Sequence, residues 1–376
     1  MFSAMSIFAV TLFADIYSNI DNLSVATDDG CISAGIIVVI FKAIIYQVNR
    51  EKIVRVIRDV LKCADDLTEF SNVDRIRDII KSHYTFNKVI SHGFNILGCV
   101  LVIALLFFSP TENNLPIRAK YPFNTTISPW HEIALGIEIC AVSGGVLAIL
   151  SMDSITVLLC NLIIMQFDIL NVNFENCRRR VVNDVSKKVN FSSQTNRGCD
   201  EQCYKDFERH VEKTESSVFL SRYKTCIRFY QRLVSVTKDY NKTYSSSLFI
   251  QMLSSTSMIC LTGFQVVVVG GQSSDVIKFG IYLSAAVSQI FYSCWIGNEL
   301  IYSSSVLDRS QWLSDWHQEP LSDIVQVFTL SMMSARQSTQ IKAGGFYVMS
   351  LQTFITIIRR SYSIFTLLNN MQVTNS

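Results

Sequence analysis

A chain of 376 residues with 17% charged and 49% apolar residues carries too little charge to clothe the two or three water-soluble domains its length would otherwise imply. Five prolines and fifteen glycines are too few for a loop-rich or disordered chain. A net charge of +2, from 33 basic and 31 acidic side chains, offers no strongly basic field for nucleic acid.

Clustering decides the class. Val89 to Phe108, Ser247 to Val269 and Phe279 to Ile296 contain no Asp, Glu, Lys or Arg. At about 1.5 Å per residue, some 20 residues cover the roughly 30 Å hydrocarbon core of a bilayer. Backbone groups in lipid are satisfied only by helices or closed barrels, and the period-two alternation of a barrel is absent. The expected fold class is therefore an all-α membrane protein with seven transmembrane helices. In chain order they are Met1 to Ile20, Cys31 to Val48, Val89 to Phe108, Ile133 to Met152, Ser247 to Val269, Phe279 to Ile296, and Gly344 to Leu368. The first carries Asp15 and is followed by Asp21, but it lacks the basic start and small-residue cleavage site of a signal peptide.

Sidedness follows from Lys and Arg, which cytoplasmic loops retain. Asn49 to Lys88 holds nine, Leu170 to Lys242 holds fifteen and Gly297 to Ala343 holds three. By contrast, Asp21 to Gly30 has none, Ser109 to Glu132 has only Arg118 and Lys120, and Gly270 to Lys278 has only Lys278. The basic segments are expected in the cytoplasm, which puts the N-terminus inside and the C-terminus outside. This is opposite to a G-protein-coupled receptor, and the acidic-Arg-Tyr and Asn-Pro-x-x-Tyr marks of those receptors are missing too.

No catalytic constellation emerges, and the expectation is that the chain is not an enzyme and takes no cofactor, metal or nucleic acid. His131-Glu132-Ile133-Ala134-Leu135 opens like a zinc-protease helix but has Leu135 where the second histidine belongs. Cys199, Cys203 and His210 match no common zinc spacing and read as reduced cytoplasmic side chains. Eleven scattered cysteines argue against a disulfide scaffold. Sequons stand at Asn22, Asn124, Asn190 and Asn241; only the first two fall in outer loops, and Asn124 is the glycosylation candidate. The run Arg178-Arg179-Arg180 reads either as a contact for anionic membrane lipid or as a topology determinant.

Ionisable residues inside spans are few: Lys42, Glu138, Asp153 and the pair Arg359-Arg360. Each costs roughly 2.5 to 3.5 kcal/mol at a helix centre and so normally faces protein or water. The arginine pair divides the last span into Gly344 to Ile358 and Ser361 to Leu368, and reads either as a helix passing from a protein-packed environment to one lining water or as a pair snorkelling at the interface where the span ends.

From the sixth span onward the order and spacing of residues resemble the insect odorant receptor family. Phe291-Tyr292-Ser293-Cys294-Trp295-Ile296-Gly297-Asn298 is similar to its aromatic-rich helix end, followed by Ser303-Ser304-Ser305, Trp312 and Trp316. Phe346, Ser350-Leu351-Gln352-Thr353-Phe354 and Ser361-Tyr362-Ser363-Ile364-Phe365-Thr366-Leu367-Leu368 are similar to its last helix. Weaker support comes from Phe41-Lys42, Leu115-Pro116 and Tyr121-Pro122-Phe123. The gustatory relatives have a Gln-Phe pair after Thr-Tyr in the last helix; none follows Ser361-Tyr362. Members of the family usually open with a longer cytoplasmic leader, whereas this chain opens directly into hydrophobic residues, which leaves a truncated start open.

The resemblance implies an odorant-gated, non-selective cation channel subunit in the plasma membrane of an olfactory neuron, working in a heterotetramer with the odorant receptor coreceptor. A gustatory-type channel and a G-protein-coupled receptor are the alternatives. It further implies one seven-helix domain over 1–376, with 171–242 a long basic cytoplasmic segment and 297–368 a cytoplasmic anchor loop plus pore-lining helix. Ser361 to Leu368 would line the pore, gated by dewetting at Ile364 and Leu368, with Leu367 as a substitute because helical phase is open. A small apolar odorant would sit in the outer halves of the second, third, fourth and sixth spans. Candidate contacts are Ile37, Leu106, Phe107, Glu138, Val142, Phe279 and Tyr282, with Tyr282 expected to bias the open state.

Overall fold

The computed structural model describes residues 2–18, 23–71, 74–107, 115–117, 119, 121, 123, 125, 127–178, 201–268, 273–319 and 321–375. At 2–4, 23–26, 74–75, 107, 201–215, 268, 273–275, 321–323, 368–369 and 371–375 it describes the backbone alone. The helices are α1 (Phe2–Ser18), α2 (Leu23–Val48), α3 (Arg50–Ser71), α4 (Asp74–Phe107), α5 (Trp130–Glu175), α6 (Glu201–Val268), α7 (Ser273–Ser305), α8 (Leu307–Trp312), α9 (Leu321–Ala335) and α10 (Leu351–Asn375). A two-stranded antiparallel hairpin, β1 (Lys342–Ala343) and β2 (Tyr347–Val348), precedes α10.

Among the described residues, five helices are long and apolar enough to cross a membrane, namely α2, α4, α5, α6 and α7; α1 is apolar but shorter. Their charge-free stretches turn apolar side chains outward, as lipid solvation requires. On α4, Ile96, Val100 and Ile103 form one exposed stripe at helical spacing. The helices far outrun the predicted spans. At about 1.5 Å per residue, the 68 residues of α6 extend about 100 Å, several times a bilayer core.

The excess length builds a second body of structure. Segments expected as basic loops are largely helical: α3 buries Ile53, Val56, Val60, Ala64 and Leu67 at spacings of three and four, against α5 and α6. Most of the largest apolar cluster among the described residues lies there, including Phe167, Phe174, Phe219, Tyr223, Tyr240 and Tyr244. The molecule thus divides, near Lys42 and Asp153, into a basic half holding this cluster and a cavity half built from α1, α2 and the charge-free parts of α4 to α7.

The seventh predicted span needs correction at its start. Gly344 and Gly345 do not open a helix; they turn the hairpin with φ of 63° and 85°, a region open to glycine at no steric cost, and the helix begins at Leu351. The hairpin is stapled to α6 by Gly344 N donating to Ser245 O (3.1 Å), Ser245 Oγ to Lys342 O (2.7 Å), and Lys342 N to Asn241 Oδ1 (2.7 Å). Asn241, one of the sequons, is therefore spent on an internal contact. Gly297 admits the hairpin: a Cβ there would stand 2.8 Å from Met349 Cβ and closer still to its carbonyl oxygen. The helix of α10 continues through Arg359-Arg360, both exposed; packing, not the backbone, changes at the pair.

Candidate ligand cavity and its polar floor

Six helices surround a cavity of about 160 Å³ in the cavity half. Met5 comes from α1, Ile36 and Val39 from α2, Leu101 and Leu105 from α4, Val142 and Val146 from α5, Ser255 and Met258 from α6, and Tyr282 and Gln289 from α7. Small residues make the room: a Cβ on Gly35 would meet nothing within 4 Å. Its wall is aliphatic and aromatic except for a few groups on α6 and α7, the character of a site for an apolar small molecule.

Of the residues singled out by sequence, Val142 and Tyr282 line this space. Tyr282 is buried and held edge-on by Phe279 at 6.0 Å, and Phe279 itself packs behind it on Ala104. Ile37 lies between two lining residues without lining the cavity, and Leu106 packs in the neighbouring cluster around Phe8. Glu138 is fully buried elsewhere: it accepts from Ile117 N (3.2 Å) and Tyr121 Oη (3.3 Å), which ties the connection between α4 and α5 onto the bundle. Burial, together with the charge and hydrogen bond of Glu138, pushes the Tyr121 phenol above its ordinary pKa. The side chain of Phe107 and residue Asn124 lie outside the described residues.

The contributions of α1 and α6 were missed by sequence reasoning. Met5 shows no distinguishing pattern. Ser254 and Ser255, however, are adjacent hydroxyls within an uncharged span, and that signal was available.

Below the cavity, three spans meet through charge. Lys42 Nζ of α2 pairs with Asp153 Oδ1 of α5, and Gln289 Nε2 of α7 donates to Asp153 Oδ2. Two of the costly residues flagged in the sequence thus neutralise each other. One turn on, Tyr46 Oη donates to Met152 O (2.7 Å) and Tyr240 Oη donates to Thr156 O (2.9 Å). Near the start of α7, Lys278 Nζ pairs with Asp28 of α2 at 3.1 Å and lies 4.8 Å from the Phe279 ring centre.

The expected pore helix has two faces. Before the arginine pair, Ile357 is buried and Phe354 stacks edge-on against Phe291 at 5.4 Å. Beyond it, Ile364 is 44% and Leu367 60% exposed. Ser361 turns inward and is buried, its carbonyl 3.5 Å from Cys260 Sγ of α6. The side chain of Leu368 lies outside the described residues.

Among the described residues no group of three or more His, Cys, Asp or Glu is placed to hold a metal ion. Cys199 and the side chains of Cys203 and His210 lie outside them, as do Arg179 and Arg180; Arg178 is paired with Glu319.

The sequence model described as 7tm odorant receptor matches residues 22–362. Odorant receptor 13a of Drosophila melanogaster is 29% identical over 169 residues, covering 41% of this chain and 40% of the relative. Odorant receptor Or1 of Anopheles gambiae is 25% identical over 43% of this chain and 39% of its own length. Odorant receptor 83a of Drosophila melanogaster is 22% identical over 69% of this chain and 61% of its own length. The matches to the first of these relatives thus span about two fifths of their length. The olfactory receptor OR5 from Machilis hrabei shares the fold, with a TM-score of 0.75 at 13% identity over 97% of this chain and 86% of that one. Its structure in complex with eugenol gives 0.76 at 13% identity over 98% of this chain and 87% of that one.

Proposed function

The chain belongs to the 7tm odorant receptor family, and from that membership we propose that it is an odorant-gated, non-selective cation channel subunit. It works in a heterotetramer with the odorant receptor coreceptor in the plasma membrane of an olfactory neuron, and carries out no enzymatic step. The observation that carries this reading is the apolar cavity enclosed by six helices within a chain of this family. The eugenol complex of the Machilis receptor supports a small volatile as the ligand.

The asymmetry of Lys and Arg supports an N-terminus in the cytoplasm and a C-terminus outside, with Asn124 on the glycosylated side. In this arrangement the basic half forms the cytoplasmic anchor between subunits. The open face of α10 bearing Ile364 and Leu367 then meets its counterparts at the pore axis, where a ring of apolar side chains closes by dewetting. A ligand opens such a pore only by binding the open state more tightly, so Tyr282 and Val142 change their contacts between states.

Patch-clamp recording of cells expressing the chain with and without the coreceptor tests the reading. Odorant-evoked cation current that requires both chains is the expected result. Current from the coreceptor unaltered by this chain across a volatile panel would overturn it. Tyr282→Ala is expected to shift the dose response; an unchanged curve removes that residue from the pocket.

A further inference from the structure

We propose that the floor of the cavity is a specificity filter for an uncharged ligand that donates one hydrogen bond, with Gln289 as the acceptor. This rests on the cavity being the ligand site and goes on to name the ligand's chemistry.

The floor is a thin polar partition. On one side lies the 160 Å³ cavity, lined by Gln289 and Ser255; on the other lies a space of about 20 Å³, lined by Lys42, Asp153 and Gln251. Two hydrogen bonds cross between them. Gln289 Nε2 donates to Asp153 Oδ2, and Gln251 Nε2 donates to Ser255 Oγ at 3.1 Å.

These partners orient the Gln289 amide. Asp153, paired with Lys42, is an ionised carboxylate and can only accept, so it must face the nitrogen of Gln289. The carbonyl oxygen is then the polar atom that Gln289 can offer to the cavity. A charged ligand would be stripped of water against Val142, Val146 and Leu101, at a cost that no charged side chain on the wall repays. A purely apolar ligand displaces water from the Gln289 oxygen and leaves it unpaired. A hydroxyl group supplies the missing donor. A site built to hydrogen-bond a hydroxyl discriminates against the analogue lacking it far better than an apolar wall discriminates by shape.

Size narrows the class further. An apolar cavity of roughly 150 Å³ accepts a benzene ring, so the ligand is a single ring or a short chain bearing one hydroxyl.

Equilibrium dialysis of radiolabelled benzyl alcohol, benzaldehyde and toluene against membranes containing the full chain, with chain-free membranes as blank, tests the filter. The expected order is benzyl alcohol tighter than toluene by about five- to tenfold, with benzaldehyde, which accepts but does not donate, close to toluene. In Gln289→Leu, which leaves Lys42 on Asp153, the preference falls to about onefold. Equal saturable binding of all three probes, or benzaldehyde matching benzyl alcohol, overturns the filter while leaving the cavity as a ligand site. Saturable binding of none overturns the cavity reading and the filter together. The wild-type comparison decides even where the variant does not fold, and a folded Gln289→Leu that keeps the preference removes Gln289 from the role.

Discussion

In the basic half, Tyr223, Tyr240 and Tyr244 are buried to 1% or less, ring against ring, and Asn171, Asn173 and Gln166 reach across helices to Ser303, Ser71 and Val60. In the cavity half, the apolar clusters are small and Gly35 faces empty space. The first is packed like the core of a water-soluble protein, where side chains specify one arrangement. The second keeps a void that a ligand can fill. One helical chain can thus be densely packed at one end and keep a void at the other, since α5, α6 and α7 pass without a break through both.

The junction offers the largest effect. Lys42→Met leaves Asp153 without its counter-ion between the halves, held by Gln289 alone, and is expected to destabilise by about 3–5 kcal/mol. Lys42→Met with Asp153→Leu removes both charges and should recover most of that. Thermal unfolding in detergent measures both; equal loss in the single and double variants would break the assignment of the pair.

Glycines sharpen the contrast between halves. Gly297→Ala in the basic half pushes a methyl against the backbone of Met349, at an expected cost of about 1–3 kcal/mol. Gly35→Ala in the cavity wall meets nothing, so the gain of helix propensity, about 0.5–1 kcal/mol, is expected to prevail. Melting temperatures moving the same way for both would erase the distinction. Tyr240→Phe removes a buried hydrogen bond to Thr156 and is expected to cost about 1 kcal/mol, read from the same melts, without altering ligand binding.

The sequence made some of this legible and hid the rest for physical reasons. Charge-free runs marked α4, α6 and α7 because a charged side chain is costly in lipid. A bilayer ruler then stopped α5 at Met152, whereas the helix runs to Glu175 through Ile163, Phe167 and Phe174, apolar residues that serve a protein core. The periodicity of Ile53, Val56, Val60, Ala64 and Leu67 was readable as an amphipathic helix but lay under a heavy count of basic residues. Gly344 and Phe346 looked like the apolar start of a span, and only backbone geometry distinguishes that from a hairpin. Lys42 and Asp153 were each recognisable as costly, yet 111 residues separate them, and no local pattern joins charges on different helices. The cavity was legible only in part: Val142 and Tyr282 could be named, while Glu138 proved to anchor a connection because its partners, Ile117 and Tyr121, lie in irregular chain.

The proposed function puts ligand sensing in the void of the cavity half and not in the packed half. Val142→Phe puts a ring into that void from a residue that is not part of the basic cluster. Odorant-evoked current from this variant, co-expressed with the coreceptor and normalised to surface abundance, is the direct measurement. Loss of response at wild-type abundance is predicted; an unchanged dose response at that abundance would contradict the account.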